Sequence, residues 1–314
     1  MNRISPAIQR ARPSRLPDFI AVGPPRTATT WLYEVLKGHV GLPLEKKETD
    51  FFSKHYDKGI DWYADYFRHC PPAMKIAEVC ATYFASPQAP ERIARHLPEC
   101  RIICTFRDPV SRAYSFYRLL RRNAWTKLSF EEAAAKHRET REQNRYGFHL
   151  ARWQRQFSAD HVLVGLLDDL EADAQAFVDR VTAFVGIDQI VIPPARAFER
   201  VHTVETAPPS RRLVRTARNI TTWMNSRRMH RTARWLRKSA LGRFVYEGGR
   251  PYEPLAPEVE ARIRELYRPE VEEFEALIGR DLSAWKYGKG PVASERPGKQ
   301  IQAINKIQLP GQLT

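Results

Sequence analysis

Long hydrophobic runs are what this 314-residue chain most plainly lacks. No apolar stretch approaches the roughly 18 residues a helix needs to cross a bilayer, so a membrane-spanning helix is not expected. Met1–Leu16 carries four arginines but no apolar core of about 7 residues, so it does not read as a signal peptide. The four cysteines, Cys70, Cys80, Cys100 and Cys104, show no Cys-x-x-Cys spacing. Neither a zinc site nor a disulfide framework is indicated, and Cys80 and Cys104 sit in strand-like runs where buried thiols are expected. Together these absences predict a soluble protein of a reducing compartment, the cytoplasm. Acidic residues are also short, 36 Asp and Glu against 51 Lys and Arg, for a formal net charge of +15. Such an excess steers anionic ligands toward the protein.

Much of that charge is concentrated. Between Arg211 and Arg243 there are eleven Lys or Arg and no Asp or Glu, interleaved with Leu213, Ile220, Trp223, Met224, Trp235 and Leu236. One reading is a pair of amphipathic helices packed on the core by those apolar residues. Two others are contact with an anionic acceptor, or peripheral contact with a membrane surface. No nucleic-acid-binding motif accompanies the charge, so nucleic acid is not the expected partner. Nothing in the sequence sets an oligomeric state.

Strand-like runs at Phe19–Val22, Lys75–Val79, Arg101–Phe106 and Val162–Leu167 alternate with helical patterns near Thr29–Lys37, Pro90–His96, Pro109–Arg122 and Phe130–Arg141. Alternation of this kind predicts an α/β fold, an open parallel sheet with helices on both faces. Asp168-Asp169-Leu170 leads into a helix through Gly186, and Pro257–Ile278 reads as a long helix ending at Gly279. A single domain is expected over 17–286, with 1–16 and 287–314 as mobile tails.

The most informative stretch is Asp18 to Leu32, where an apolar strand runs through Gly23-Pro24-Pro25-Arg26-Thr27-Ala28 into a helix opening at Thr29-Thr30-Trp31. Amides at a helix N-terminus lack partners and the dipole adds positive charge there, which makes an anion site. Arg26 supplies a cation, and Thr29 and Thr30 supply hydroxyls. The spacing nearly fits a nucleotide-binding P-loop, but Ala28 stands at the second Gly and Thr29 where Lys would grip the β- and γ-phosphates. A degenerate P-loop phosphotransferase is therefore a rival reading that Thr29 counts against.

With the cation three residues earlier, the loop resembles the 5′-phosphosulfate loop of sulfotransferases, which use 3′-phosphoadenosine 5′-phosphosulfate (PAPS) and release PAP. Downstream, Arg101–Phe106 runs into Arg107-Asp108-Pro109-Val110-Ser111-Arg112-Ala113-Tyr114-Ser115, which resembles the family's 3′-phosphate motif, with Arg107 and Ser115 as phosphate ligands. Arg107 offers a planar fork, and Pro109 starts a helix without wasting an N–H. Ligands in open α/β folds lie at the carboxyl ends of strands, so both motifs are expected in one crevice.

The segment Lys46-Lys47-Glu48-Thr49-Asp50-Phe51-Phe52 is similar to the base region of heparan sulfate 3-O-type glycan sulfotransferases and bacterial relatives. The resemblance implies a P-loop-like sulfotransferase fold, Glu48 as the base that deprotonates an acceptor hydroxyl, Lys47 beside it, and no required metal. The cytosolic phenol and steroid enzymes use a His base whose local motif is not matched; His55 and His149 stay secondary candidates. Arg26 stands where most relatives carry Lys and can act by electrostatic stabilisation only. Ala28 in place of Gly is expected to hold the loop at negative φ unless strain is tolerated. Asp50 replaces a frequent His, and Glu78-Val79-Cys80-Ala81-Thr82-Tyr83 lacks the Lys and Pro of the matching motif. Gly248-Gly249-Arg250-Pro251-Tyr252 resembles the loop closing over the 3′-phosphate and adenine, with Gly249 and Arg250 at its Gly-Arg. The implied nucleotide contacts are thus Arg26, Thr27, Ala28, Thr29, Thr30, Trp31, Arg107, Ser115, Gly249 and Arg250. The implied acceptor is a hydroxyl of a glycan or small-molecule natural product. A non-catalytic PAP- or anion-binding protein working through its basic helices is the third reading.

Overall fold

In the computed structural model of the chain, residues 15–193 and 206–288 are described, apart from 228, 230, 231, 233, 234 and 238. Four strands, β1 (Phe19–Val22), β2 (Ala77–Val79), β3 (Arg101–Phe106) and β4 (Val162–Leu166), form one sheet in the order β2-β1-β3-β4. All pairings are parallel, with Ile20 opposite both Glu78 and Ile102. The chain leaves β1 in one direction to make β2 and returns on the other side for β3. That reversal puts a switch point at the carboxyl ends of β1 and β3, where an open α/β sheet leaves a crevice.

Alternation along the strands divides the core in two. Phe19, Ala21, Val79 and Ile103 face one side, against Trp31, Leu32, Phe177 and Val181 of the helices Thr29–Leu36 and Ala174–Val185. Ile20, Val22, Ile102, Cys104 and Phe106 face the other, against Phe51, Phe52, Trp153 and Phe274. Both faces are covered, which is why the strands read as unbroken apolar runs. The helix Pro109–Arg122 starts at the capping carboxylate of Asp108, which accepts from Ser111 N at 2.6 Å. It docks on the long helix Pro257–Ile278 through Val110, Ala113, Ile263 and Tyr267. All four cysteines are buried and free.

Several boundaries differ from the sequence expectation. Strand β2 starts at Ala77 rather than Lys75, because Ile76 N donates to the Asp18 carboxylate at 2.8 Å and Ile76 bridges to Gly41 instead. The helical pattern from Phe130 breaks at His137, which is extended, into Phe130–Lys136 and Arg138–Glu142. The helix Tyr146–Gln156 was not anticipated. Arg15, expected in a tail, donates to the carbonyls of Cys70, Pro71 and Met74, and Leu16 packs on the core. Residues 1–14 and 289–314, the bulk of both expected tails, lie outside the described residues.

The reading in which the basic segment packs through its apolar residues holds only in part: of the six, Met224 is buried and Leu236 half-buried. The helix Arg211–Ser226 buries Val214 and Met224, while Leu213, Ile220, Trp223 and Trp235 stay exposed. Arg211, Ala217, Arg218 and Thr221 are half-buried on the same inward face as Val214 and Met224. Arg218 and Arg237 add to the attachment, donating to the backbone and side-chain oxygens of Asn123 at 3.3 and 3.4 Å. Arg228, Arg231, Arg234 and Lys238 lie outside the described residues. Among the described residues no helix is long and apolar enough to cross a membrane.

Candidate active site

The loop after β1 is shaped by a close approach. A Cβ on Gly23 would stand 2.4 Å from Thr105 Oγ1 and 2.9 Å from Thr27 Oγ1, so only glycine lets the loop leave the sheet there. Thr27 is buried; its hydroxyl is 2.8 Å from the Pro24 carbonyl and 2.9 Å from Thr105 Oγ1. The Thr27 side chain therefore ties the loop to β3, and only its backbone remains for a ligand. Arg26 and Ala28 have φ of 81° and 67°. The loop thus keeps the left-handed turn that a glycine would make easily, and Ala28 bears the strain rather than holding φ negative. Helical hydrogen bonding begins with Leu32 N to the Ala28 carbonyl, so amides at the helix start have no helical carbonyl to reach. Thr29 and Thr30 open that turn. The Trp31 ring is buried edge-on against Phe177 at 6.2 Å, a core contact.

Arg26 reaches across the crevice. Its Nε donates to Ser115 Oγ at 2.8 Å, joining the two anion motifs 89 residues apart. Burial, and then the charges of Arg107, Arg122 and Arg118, lower the Arg26 pKa to about 10, so it stays protonated at neutral pH. Arg118 and Arg122 were missed in the sequence, though the signal is there: they lie three and seven residues after Ser115, on one helix face. Arg122 pairs with Glu247 at 3.2 Å, and Arg118 stacks on Tyr114 at 4.6 Å. The turn bearing Arg107 is held from behind. Tyr146 OH donates to the Arg107 carbonyl at 2.9 Å, and Arg264 Nη1 donates to Asp108 at 2.6 Å and to the Trp285 carbonyl at 2.8 Å.

Gly249 N pairs with the Ala207 carbonyl at 2.9 Å, and a Cβ there would stand 2.5 Å from that oxygen. The loop reaches the Ser115 helix through its next residues, with Tyr252 OH 3.4 Å from the Arg118 carbonyl and the Glu253 carbonyl 2.6 Å from Tyr114 OH. Arg250 itself is exposed.

Opposite the loop, Lys47 Nζ lies 3.1 Å from Thr30 Oγ1, 3.4 Å from Thr29 Oγ1 and 3.2 Å from Glu48 Oε1. One ammonium thus links the anion loop to the expected base. Glu48 is half-buried. The segment carrying it is anchored by Glu78, the first residue of the Glu78–Tyr83 segment, fully buried on β2. Its Oε1 accepts from Thr49 N and Oγ1 at 2.8 and 2.7 Å, and its Oε2 from the hydroxyls of Tyr63 and Tyr83 at 2.7 and 3.0 Å. Burial raises the Glu78 pKa, and those hydrogen bonds oppose the rise. A lone Glu in an apolar strand, at the alternation phase of core residues, was the available signal.

Asp50 accepts from Thr82 Oγ1 at 2.7 Å and pairs with Lys54 at 3.4 Å. Glu48, Asp50 and Cys80 bring their ligand atoms within 4.8 Å of one another. Burial, followed by the nearby Glu78 and Glu48 charges, pushes the Cys80 thiol well up, which makes it a poor metal ligand. His149 is lowered to about 4 by burial, with Nε2 placed to donate to the Glu142 carbonyl at 3.0 Å. That geometry makes it structural rather than a base. A cavity of about 880 Å³ opens from Thr82, past Ser86 and Pro87, to Arg138, Arg145 and Phe148. Thr82 connects its wall to the base segment.

A family model described as "Sulfotransferase domain" matches residues 16–274. Among curated relatives, human bifunctional heparan sulfate N-deacetylase/N-sulfotransferase 3 is 32% identical over 199 residues, 55% of this chain and 22% of that protein. The mouse bifunctional heparan sulfate N-deacetylase/N-sulfotransferase 1 is 34% identical over 206 residues, 56% of this chain and 23% of that protein. The chain thus spans only about a fifth of the length of these relatives. A sulfotransferase crystal structure from Alicyclobacillus acidocaldarius superposes with a TM-score of 0.63 at 22% identity, covering 87% of this chain and 99% of that one. At that identity the likeness concerns the fold.

Proposed function

The chain belongs to the sulfotransferase domain family, and from that premise we propose that it transfers the sulfuryl group of PAPS to a hydroxyl of a glycan or small-molecule natural product, releasing PAP. The observation that carries this reading is the Arg26–Ser115 hydrogen bond, which makes one crevice of two anion motifs. A polyanionic donor relieves the mutual repulsion of Arg26, Arg107, Arg118 and Arg122, a cluster that needs anions more than it needs a metal.

In the proposed reaction the acceptor oxygen forms a bond to sulfur as the bond from sulfur to the 5′-phosphate oxygen breaks. The electron pair of the broken bond leaves with PAP. Glu48 takes the acceptor proton, and Lys47 holds the carboxylate toward the loop. Arg26 and the loop amides stabilise charge on the departing phosphate without giving up a proton. As in phosphoryl transfer, positioning and electrostatics carry most of the rate. The acceptor enters through the cavity at Thr82. The names of the heparan sulfate relatives specify N-sulfation, which favours a glycan amine as the second acceptor class to test.

The test pairs calorimetric titration with turnover. PAP binds and ATP with Mg²⁺ does not, whereas a phosphotransferase would show the reverse. Glu48→Gln keeps PAP affinity and loses about 10² to 10⁴ in transfer rate. Equal loss of both properties would remove Glu48 from the base role, and PAP binding without transfer to any hydroxyl or amine acceptor would favour a binding protein. The cytoplasmic setting is part of the proposal, and reporter fusion with cell fractionation checks it.

A further inference from the structure

We infer that the outer face of the segment from Arg211 to Phe244 docks the protein on a membrane surface rich in anionic lipid. Two independent features of that face point the same way. The first is apolar exposure. Of the fourteen large hydrophobic residues exposed among the described residues, seven lie between Leu213 and Phe244. Trp223 is 57% exposed and Trp235 69%. On the helix Arg211–Ser226, Leu213, Ile220 and Trp223 follow one another at intervals of seven and three, a single exposed line bordered by the buried Met224 and turned away from Val214. On the helix Ala240–Glu247, Leu241 and Phe244 repeat the pattern three residues apart.

The second feature is charge. Arg212, Arg215 and Arg227 are exposed beside that line, and Arg227 sits over the Trp223 ring at 5.9 Å. No carboxylate occurs in the sequence from Arg211 to Arg243. The ion pairs formed among the described residues avoid these arginines. A soluble polyanion would be met by the arginines alone and would leave the exposed Leu, Ile, Trp and Phe in water. A bilayer interface rewards both, taking tryptophan and aliphatic side chains at headgroup depth while anionic headgroups meet the cations. The attachment of the segment at Asn123, at the end of the helix carrying Ser115, leaves that face available beside the crevice.

Co-sedimentation of the full chain with phosphatidylcholine vesicles, with and without phosphatidylglycerol, tests this independently of sulfuryl transfer. Binding is expected only to the anionic vesicles, to weaken with added salt, and to shift tryptophan emission to the blue. Arg212→Gln with Arg215→Gln should lower partitioning about fivefold for each charge removed. Trp223→Ser with Trp235→Ser should also weaken it and leave the thermal midpoint unchanged. If anionic vesicles fail to bind the unaltered protein, or if both double variants bind as it does, the inference is overturned. A soluble sulfated polysaccharide that binds through the arginines while vesicles do not would overturn it too, and would assign the face to a polyanionic chain.

Discussion

Two groups of arginines dominate this protein, and they differ in everything except their charge. Arg26, Arg107, Arg118 and Arg122 are half-buried at the switch point of the sheet, held by Ser115, Glu247, aromatic rings and backbone, and three of them depress the pKa of the fourth. Arg212 and Arg215 are exposed on the helix Arg211–Ser226, and Arg227 just past its end. The first group is preorganised: its side chains have already lost their freedom, and its repulsion is relieved only by an anion placed among them. The second is exposed and screened, so it contributes to encounter and surface attachment more than to specificity. Net charge alone does not separate the two. Burial does.

The comparison breaks most sharply on nucleotide binding. Arg107→Ala should weaken PAP by about a hundredfold or more, while Arg212→Ala should change it less than about twofold; calorimetry on both variants checks it. Comparable losses would mean the crevice is no better organised than the flank. Next in size is the scaffold behind the base. Glu78→Gln places an amide nitrogen among hydroxyl donors, and its unfolding free energy in denaturant should fall by about 1–3 kcal/mol, whereas Glu48→Gln should leave stability nearly unchanged.

The contrast extends to pH. Buried His149 has its pKa lowered from 6.5 to about 4. The folded state keeps it neutral, so as pH falls below 6.5 the unfolded chain takes up the proton first. Stability present above pH 6.5 is therefore lost down to about pH 4, by up to about 3 kcal/mol, and His149→Gln should flatten that slope in a denaturation series. The smallest effect reverses sign between the regions. Ala28→Gly relieves a left-handed φ and should stabilise by about 1 kcal/mol, while Ala217→Gly inside the helix Arg211–Ser226 should destabilise by about as much. Thermal midpoints of the two variants would show it.

The parallel sheet was legible because both faces are buried: Phe19–Val22 and Arg101–Phe106 are continuous apolar runs between helical patterns, a signal that needs no tertiary information. The Gly-x₄-Ala-Thr-Thr loop and the Arg107 to Ser115 spacing were legible for the same reason, since local backbone geometry dictates them. Less visible were the partners that arrive from elsewhere. Glu78 reads as a stray acid until Thr49, Tyr63 and Tyr83 surround it, and Arg264 as a surface helix residue until it meets Asp108. The apolar residues of the 211–243 segment left three readings open because helical spacing shows which residues share a face and not whether that face meets the core.

By itself the sequence determined the positions and parallel direction of the strands, the anion-loop chemistry at Arg26 to Thr30, and the excess of positive charge, since each depends on residues close together in the chain. Only the tertiary structure decided that Arg26 would meet Ser115, that Lys47 would link Glu48 to Thr30, and that Trp223 would stay in solvent. Those outcomes depend on distances between elements, which are set by how two apolar sheet faces are covered, and no local pattern carries that information.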